Sequence, residues 1–265
     1  GRFREFTQAD IDVVGRDHLA FHHEVEMAVV MGSVLAQLPI PAAVIQVNNR
    51  KLAEGFYRGV GASDPAAVLR AVDKLDKIGP ARVADLLVTD AGLSDQAARR
   101  CLDLAEIRTA DASFVDRVAA LGVRDPLLDE GVAELAAVVE GANALLPGSV
   151  VADLRIARGL DYYTGTVYET QLQGYESVGS IASGGRYDSL ASDGKQTFPG
   201  VGISLGVTRL VSILLGRDLV SVSRPGPAAV LVAVVDERDR GVSETVAARL
   251  RARGPGLLAG TLLAW

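Results

Sequence analysis

The chain changes texture twice. From about Lys51 to Leu146 it reads as almost continuous helix, while the segments on either side alternate, or run apolar, in the manner of strands. Any sheet must therefore be assembled from two stretches of sequence with a helical block inserted between them. The opening stretch, Arg2 to Val14, has period two: Arg2, Arg4, Phe6, Gln8, Asp10 and Asp12 fall on one face, and Phe3, Glu5, Thr7, Ala9, Ile11 and Val13 on the other. The polar face either meets solvent or lines a cleft; pattern alone leaves both open.

The strand reading continues on both sides of the block. His18 to Gln37 carries Val25, Ala28, Val29 and Leu35 and stops at Pro39 and Pro41, a helix with a proline stop, and Ala42–Asn48 is a short buried strand. Inside the block, Ser63-Asp64-Pro65 is an N-cap signal with Pro at the first helical position, and Leu69, Val72, Leu75 and Ile78 form an apolar stripe behind it. Ser94 opens a further helix that carries Cys101 and Leu102. After Pro147-Gly148, strands are expected at Val150–Ile156, Thr166–Leu172, Ser177–Ala182 and Val201–Leu205, the last running into a helix over Val207–Leu215. Ser221–Pro227 is a linker composition, followed by an apolar strand at Ala229–Val235 and a helix at Gly241–Arg253, the start of an α/β unit.

Composition narrows the function classes. With 265 residues, 49% hydrophobic and 23% charged, the chain is ordinary globular material. A formal charge of −6 argues against broad, non-specific coating of nucleic acid, though not against a focused RNA contact. Apolar runs such as Ala28–Leu38 and Ala228–Val235 are too short to span a bilayer. The single Cys101 excludes a disulfide framework or a multi-thiolate zinc site and fits a cytoplasmic protein. The chain opens at Gly1, already in a strand pattern, and reads as a piece of something longer.

Several common sites fail on spacing. His22-His23-Glu24 lacks the second helical His of a zincin, so no zinc site is expected, and His18, His22 and His23 are expected at the surface. Gly194-Lys195 is followed by Gln196 rather than Ser or Thr, which rejects a P-loop. Leu205 stands where a dinucleotide fingerprint between Gly202 and Gly206 needs its third Gly.

Four segments resist a bland reading. They are the polar-faced strand GRFREFTQADID from Gly1; RGLDYYTGTVYE from Arg158 to Glu169; SGGRYDS from Ser183, read as a turn from which Arg186, Tyr187 and Asp188 project together; and GVGISLGVTR from Gly200, which delivers an Arg at a helix start. In order and wording these resemble the histidyl-tRNA synthetases, class II aminoacyl-tRNA synthetases: the tail of motif 2, the histidine-specific segment, the SGGRYD segment and motif 3. VNNRKLAEG and VLRAVDKLDKIG are similar to that family's helical insertion, and VLVAVVDE to the first strand of its anticodon-binding domain.

The resemblance implies an α/β (α+β) fold, a class II antiparallel sheet flanked by helices, with catalytic core at 1–50 and 147–220, helical insertion at 51–146 and a partial anticodon-binding domain at 226–265. It implies a ligase that activates histidine with ATP to histidyl-adenylate and pyrophosphate, then transfers histidine to the 3′ end of tRNA(His). ATP with Mg2+ enters as a substrate complex, with no permanent cofactor and no metal held by protein alone. The full-length protein is expected to be a cytoplasmic homodimer. Arg158 and Arg209 take the catalytic roles, Arg158 on the α-phosphate and the histidine carboxylate, Arg209 on the γ-phosphate, with Arg2 assisting on ATP. Gln8 faces the α-amino group, Asp12 accepts from one imidazole nitrogen, Tyr163 binds the other, and Tyr187 lies nearby.

The departures are that motif 1 and the first half of motif 2 have no counterpart in these residues, and that Thr208 stands where many members carry Glu before the motif 3 Arg. The alternative is an inactive synthetase-like regulatory or interaction module, such as the regulatory subunit of ATP phosphoribosyltransferase. Such paralogues tend to lose the RGLDYYTGTVYE segment that Arg158 and Tyr163 carry here.

Overall fold

The computed structural model describes residues 5–157, 162–221, 230–253 and 259–263. The chain divides into two compact units, 1–219 and 220–265. The first is built on a sheet of seven strands among the described residues, in the order β1-β7-β6-β5-β2-β4-β3. The strands are β1 (Ala9–Val14), β2 (Ala43–Asn49), β3 (Arg108–Thr109), β4 (Val150–Asp153), β5 (Thr166–Leu172), β6 (Ala182–Tyr187) and β7 (Gly200–Leu205). All neighbours are antiparallel except β2 and β4, which are parallel. That pair brackets the helical block, and a parallel neighbour needs a long crossover connection.

The sheet has two unlike faces. Ile45 and Val47 of β2, Tyr168 and Leu172 of β5, and Val201, Ile203 and Leu205 of β7 are buried against helices. The covering helices are α1 (His22–Ala36) and α7 (Pro126–Leu145). The stripe that α1 buries is Glu24, Met27, Ala28, Met31, Gly32 and Leu35, at i, i+3, i+4, i+7, i+8 and i+11. This is one helical face, with a carboxylate at its head. The opposite face of the sheet carries Asp12, Ser204, Ser183, Glu169 and Gln46 at matched register positions.

The helical block is α2 (Arg50–Gly59), α3 (Pro65–Val72), α4 (Leu75–Thr89), α5 (Asp95–Ala105), α6 (Phe114–Ala120) and α7. Its starts follow the expected chemistry. Asp64 accepts from Ala67 N at 3.1 Å with Pro65 behind it, and Ser94 accepts from Ala97 N at 3.2 Å. Cys101 is fully buried in α5, and burial pushes its thiol up to about 12. The crossing of α2 on α7 is pinned by Lys51, whose Nζ reaches Glu130 at 2.6 Å and Glu134 at 2.5 Å. Asn49 caps α2 and donates to Glu134 at 2.8 Å.

Other expectations are corrected. The opening strand is shorter, beginning at Ala9, and the first helix starts at His22 rather than His18. The block is not uninterrupted helix: Arg108–Thr109 adds a short strand to the sheet edge. The stripe from Leu69 breaks at Asp73-Lys74, where α3 ends. Gly79, with φ +79°, then kinks α4 before Pro80, and Ile78 is left 40% exposed. Residues 176–178 form a 3-10 turn where a strand was expected, so the strand lies at Ala182–Tyr187 and the SGGRY run is extended chain rather than turn.

Beyond it, α8 (Val207–Gly216) follows β7 as expected. In the second unit β8 (Val230–Val234), α9 (Arg240–Ala252) and β9 (Ala259–Leu263) form a β-α-β unit, with β8 and β9 parallel. The unit therefore carries a strand beyond the one strand and one helix read from the sequence. Most of β8 is exposed rather than buried. No helix among the described residues is long and apolar enough to cross a membrane.

Candidate functional site

Glycines clear the polar face of the sheet. Asp12 of β1 lies opposite Gly202 of β7, which lies opposite Gly185 of β6. A β-carbon at Gly202 would collide with the Asp12 carboxylate, and one at Gly185 would sit 2.9 Å from the Tyr163 ring. A β-carbon at Gly200 would run into the Tyr187 ring. The three glycines are thus the floor on which Asp12, Tyr163 and Tyr187 lie, and a residue with a side chain at any of them would occupy that space.

The three side chains interact. Tyr187 Oη donates to Asp12 Oδ1 at 2.7 Å. Burial raises the Tyr187 phenol well above its ordinary range, and the Asp12 carboxylate raises it further. Tyr163 is raised in the same direction by burial, with Tyr162, Asp12 and Tyr187 adding to the effect. Its ring lies 4.3 Å from that of Tyr162, tilted by 56°. Both phenols therefore keep their protons throughout the neutral range and present O–H donors around one carboxylate.

Gln8, one residue before β1, donates from Nε2 to Ser204 Oγ, two residues along β7 from Gly202. Gln8 and Asp12 thus share the face that their sequence spacing indicates. The same end of β7 is closed by Thr208, whose Oγ1 accepts from Thr7 N at 2.7 Å while its own N–H donates to Thr7 O at 3.2 Å. Thr208 is accordingly a clasp between the start of α8 and the segment before β1. Arg209 follows at the helix start, exposed, with Nη1 donating to Ser180 O at 2.5 Å. Three strand residues separate Gly202 from the end of β7, roughly 10 Å at 3.3 Å per residue. Arg2 and Arg158 lie outside the described residues.

The polar face continues past Glu169 and Gln46 into a cleft of about 610 Å³ between the sheet and the α3–α4 region, lined also by Lys77, Arg108, Asp153 and Arg155. Gln46 donates to Gln171 Oε1 at 3.3 Å. Burial lifts the Asp153 carboxyl above its usual range, against the hydrogen bond from the Arg155 N–H and the charge of Arg108. Gln46, Glu169 and Asp153 are buried, which an ordinary solvent-facing sheet surface does not do, while Lys77, Arg108 and Arg155 are exposed.

The sequence reading of Arg186, Tyr187 and Asp188 as projecting together from one turn is corrected: in a strand Arg186 and Tyr187 point to opposite faces. Tyr187 joins Asp12, while Arg186 reaches the helix side and pairs with Glu24 at 2.8 Å. Glu24 is the residue that motif reading missed, and Arg186 was read without its partner. The available signal was Glu24 itself, a carboxylate in phase with the apolar stripe of α1. The histidines dismissed on zincin spacing meet differently: ligand atoms of His22, His23 and Glu26 lie within 4.8 Å of one another, with His23 Nδ1 2.8 Å from Glu26 Oε2. They sit at the start of α1, His22 exposed and His23 half-buried.

Comparison with known proteins bears on the family and the fold. The family model described as Histidyl-tRNA synthetase matches residues 1–210. The histidine–tRNA ligase of Cutibacterium acnes is 58% identical over 258 residues, which is 96% of this chain and 57% of that protein. That of Micrococcus luteus is 57% identical, covering 96% of this chain and 56% of its own length. The chain thus spans little more than half the length of these curated relatives.

Among solved structures, a histidyl-tRNA synthetase from Nostoc sp. PCC 7120 superposes with a TM-score of 0.79 at 35% identity, over 99% of this chain and 62% of that one. A Bacillus halodurans protein described as an ATP phosphoribosyltransferase regulatory subunit/histidyl-tRNA synthetase shares the fold at a TM-score of 0.68 but only 16% identity. The regulatory alternative is therefore matched in fold alone, and on its sequence, its sheet and its matched residues the chain belongs to the histidyl-tRNA synthetase family.

Proposed function

We propose that the full-length protein is a histidine–tRNA ligase. It activates histidine with Mg2+-bound ATP to histidyl-adenylate, releasing pyrophosphate, and passes the histidyl group to the 3′ end of tRNA(His). The observation that carries this is the Tyr187–Asp12 hydrogen bond, at 2.7 Å, laid over Gly200 and Gly202 beside the Tyr163 phenol.

A neutral imidazole offers one N–H donor and one bare acceptor nitrogen. Asp12 accepts from the first, and the Tyr163 hydroxyl, held protonated, donates to the second. Tyr187 fixes the orientation of the Asp12 carboxylate, and Gln8 faces the α-amino group. An amino acid lacking either polar edge leaves these groups unpaired, which is the larger part of the discrimination.

In the activation step a histidine carboxylate oxygen bonds to the α-phosphorus as the bond to the bridging oxygen breaks, and pyrophosphate leaves with that electron pair. Rate comes from positioning and from cations around the phosphates. Arg209 meets the γ-phosphate, its guanidinium anchored by one N–H to Ser180 O so that the rest of the planar fork faces the phosphate. Arg158 contacts the α-phosphate and the carboxylate, and Arg2 assists.

Around this core, residues 51–146 form the insertion that flanks the site and 226–265 are part of the anticodon-binding domain. The assembled enzyme is a cytoplasmic homodimer. The test is exchange of labelled pyrophosphate into ATP by the full-length protein. Exchange that requires histidine supports the reading, and its absence with histidine and Mg2+-ATP saturating overturns it.

Arg209→Lys is expected to raise the KM for ATP in that exchange about tenfold, because an ammonium cannot hold Ser180 O and present a planar fork at once. The KM for histidine is expected to stay within twofold. Equal effects on both substrates would place Arg209 outside the phosphate site.

A further inference from the structure

The recognition site needs side chains from three separate segments at fixed spacing, and the groups that tie those segments together lie on the other face of the sheet. Glu24 is 0% exposed, at the head of the buried stripe of α1. Its Oε2 accepts from the Thr166 backbone N–H at 3.2 Å and from the Thr166 hydroxyl, its Oε1 accepts from Arg186 Nη1 at 2.8 Å, and its main-chain carbonyl accepts from Tyr168 Oη at 2.6 Å.

The chain of bonds continues outward. Arg186 Nε donates to Asp188 Oδ1 at 3.0 Å, and Thr164 Oγ1 donates to Asp188 Oδ2 at 2.5 Å. The Thr164 backbone N–H in turn donates to Arg186 O at 2.8 Å. Thr164 follows Tyr163, and Arg186 precedes Tyr187. Gly165 lets the groups approach: a β-carbon there would sit 2.9 Å from Arg186 Cδ and 3.3 Å from Glu24 Oε2.

A buried ion pair is a poor way to gain stability, since apolar residues of the same volume serve as well or better. What it supplies is direction, because each oxygen of a buried carboxylate must be matched by a donor in one place. Here the donors belong to the residue after the Tyr163-Thr164 pair's glycine and to the residue before Tyr187. Burial alone would pull the Arg186 cation down, yet Glu24 and Asp188 hold it above its ordinary range, so the charge persists.

We propose that Glu24, Arg186 and Asp188 form a positioning relay that fixes the Tyr163 phenol relative to the Asp12–Tyr187 pair and so sets affinity for the imidazole. The proposal deepens the histidine-recognition reading and rests on it for the ligand, but not for the geometry.

The test uses the 265-residue chain with 3-fluorotyrosine incorporated, the Tyr163 resonance assigned by Tyr163→Phe. Two variants probe opposite ends of the relay. Glu24→Gln removes the buried charge. Asp188→Asn removes the charge and leaves one acceptor oxygen for two donors, Arg186 and Thr164, at a side chain that is 43% exposed, and it leaves the buried pair intact, so it reads out even if the first variant fails to fold.

The relay predicts that the Tyr163 fluorine line shifts or splits in Asp188→Asn, with a melting temperature within about 2 °C of the parent, and that histidine affinity falls about tenfold while ATP affinity stays within twofold. A merely structural role would move the melting temperature and leave the Tyr163 line alone. An unchanged Tyr163 line in Asp188→Asn overturns the relay. A shifted line in a chain whose parent binds no histidine upholds the relay and counts against the recognition reading instead.

Discussion

Alanine at Gly131 is expected to destabilise the 1–219 unit by about 3 kcal/mol, although Gly to Ala within a helix ordinarily stabilises by about 1 kcal/mol. The reason is the crossing of α2 on α7. A β-carbon at Gly131 would overlap the Leu52 backbone nitrogen and sit 2.6 Å from its Cα, and one at Gly55 would overlap the Leu128 nitrogen and sit 2.7 Å from its Cα. These neighbours are backbone, which cannot rotate aside, so the helices would have to separate and carry the buried Leu52, Phe56, Leu128 and Leu135 out of register. For a unit of this size the loss corresponds to roughly 6–12 °C in melting temperature. Gly216→Ala, at the end of α8 with nothing within 4 Å of the added carbon, is the matched control and is expected to be neutral or mildly stabilising. A calorimetric scan in which Gly131→Ala melts with its parent would show that the two helices do not meet through their backbones.

The second large effect is on binding. Removing the Asp12 carboxylate with Asp12→Ala is expected to weaken histidine binding about 30-fold, or about 2 kcal/mol, the worth of a charged hydrogen bond whose partner is left unpaired. Asp12 is exposed on the edge strand β1, so the melting temperature is expected to change little. Gly202→Ala should reproduce the loss without touching the carboxylate chemically, because the new methyl takes the space that carboxylate occupies. Tyr187 would lose its acceptor in both variants. Isothermal titration with histidine measures the effect, and an Asp12→Ala protein that binds like its parent would leave Asp12 no part in recognition.

What was legible in the sequence follows from what is local. Thr166–Leu172 is found as a strand with the expected bounds, and Asp64 and Ser94 cap the helices they were read to cap, because period and capping depend on residues within one turn or one strand. Gln8 and Asp12 fall on one face, as their period-two spacing indicates, and Tyr187 meets Asp12 there with the Tyr163 ring over Gly185. What was missed is tertiary in origin. The paired glycines after Ser183 suggest a turn where backbone comes close to a ligand, yet the run is extended strand and Gly185 makes room for the Tyr163 ring from another segment. Arg108–Thr109 is a strand only because β4 lies beside it, and two residues have no period to read. The kink at Gly79 and the exposure of Ile78 come from a positive φ that the apolar spacing does not encode. The helix His22–Ala36 was read for its apolar residues, so the buried Glu24 among them passed unnoticed.

The central claim is that Asp12, Tyr163 and Tyr187 compose a seat for a neutral imidazole, and the most direct measurement is a calorimetric titration of L-histidine into the 265-residue chain, beside its Tyr163→Phe variant. The phenylalanine variant keeps the ring over Gly185 and removes only the O–H donor. The structure predicts one saturable site in the parent, weakened about tenfold by Tyr163→Phe at an unchanged melting temperature. A parent that takes up no histidine, or a variant that binds it equally well, would contradict the claim.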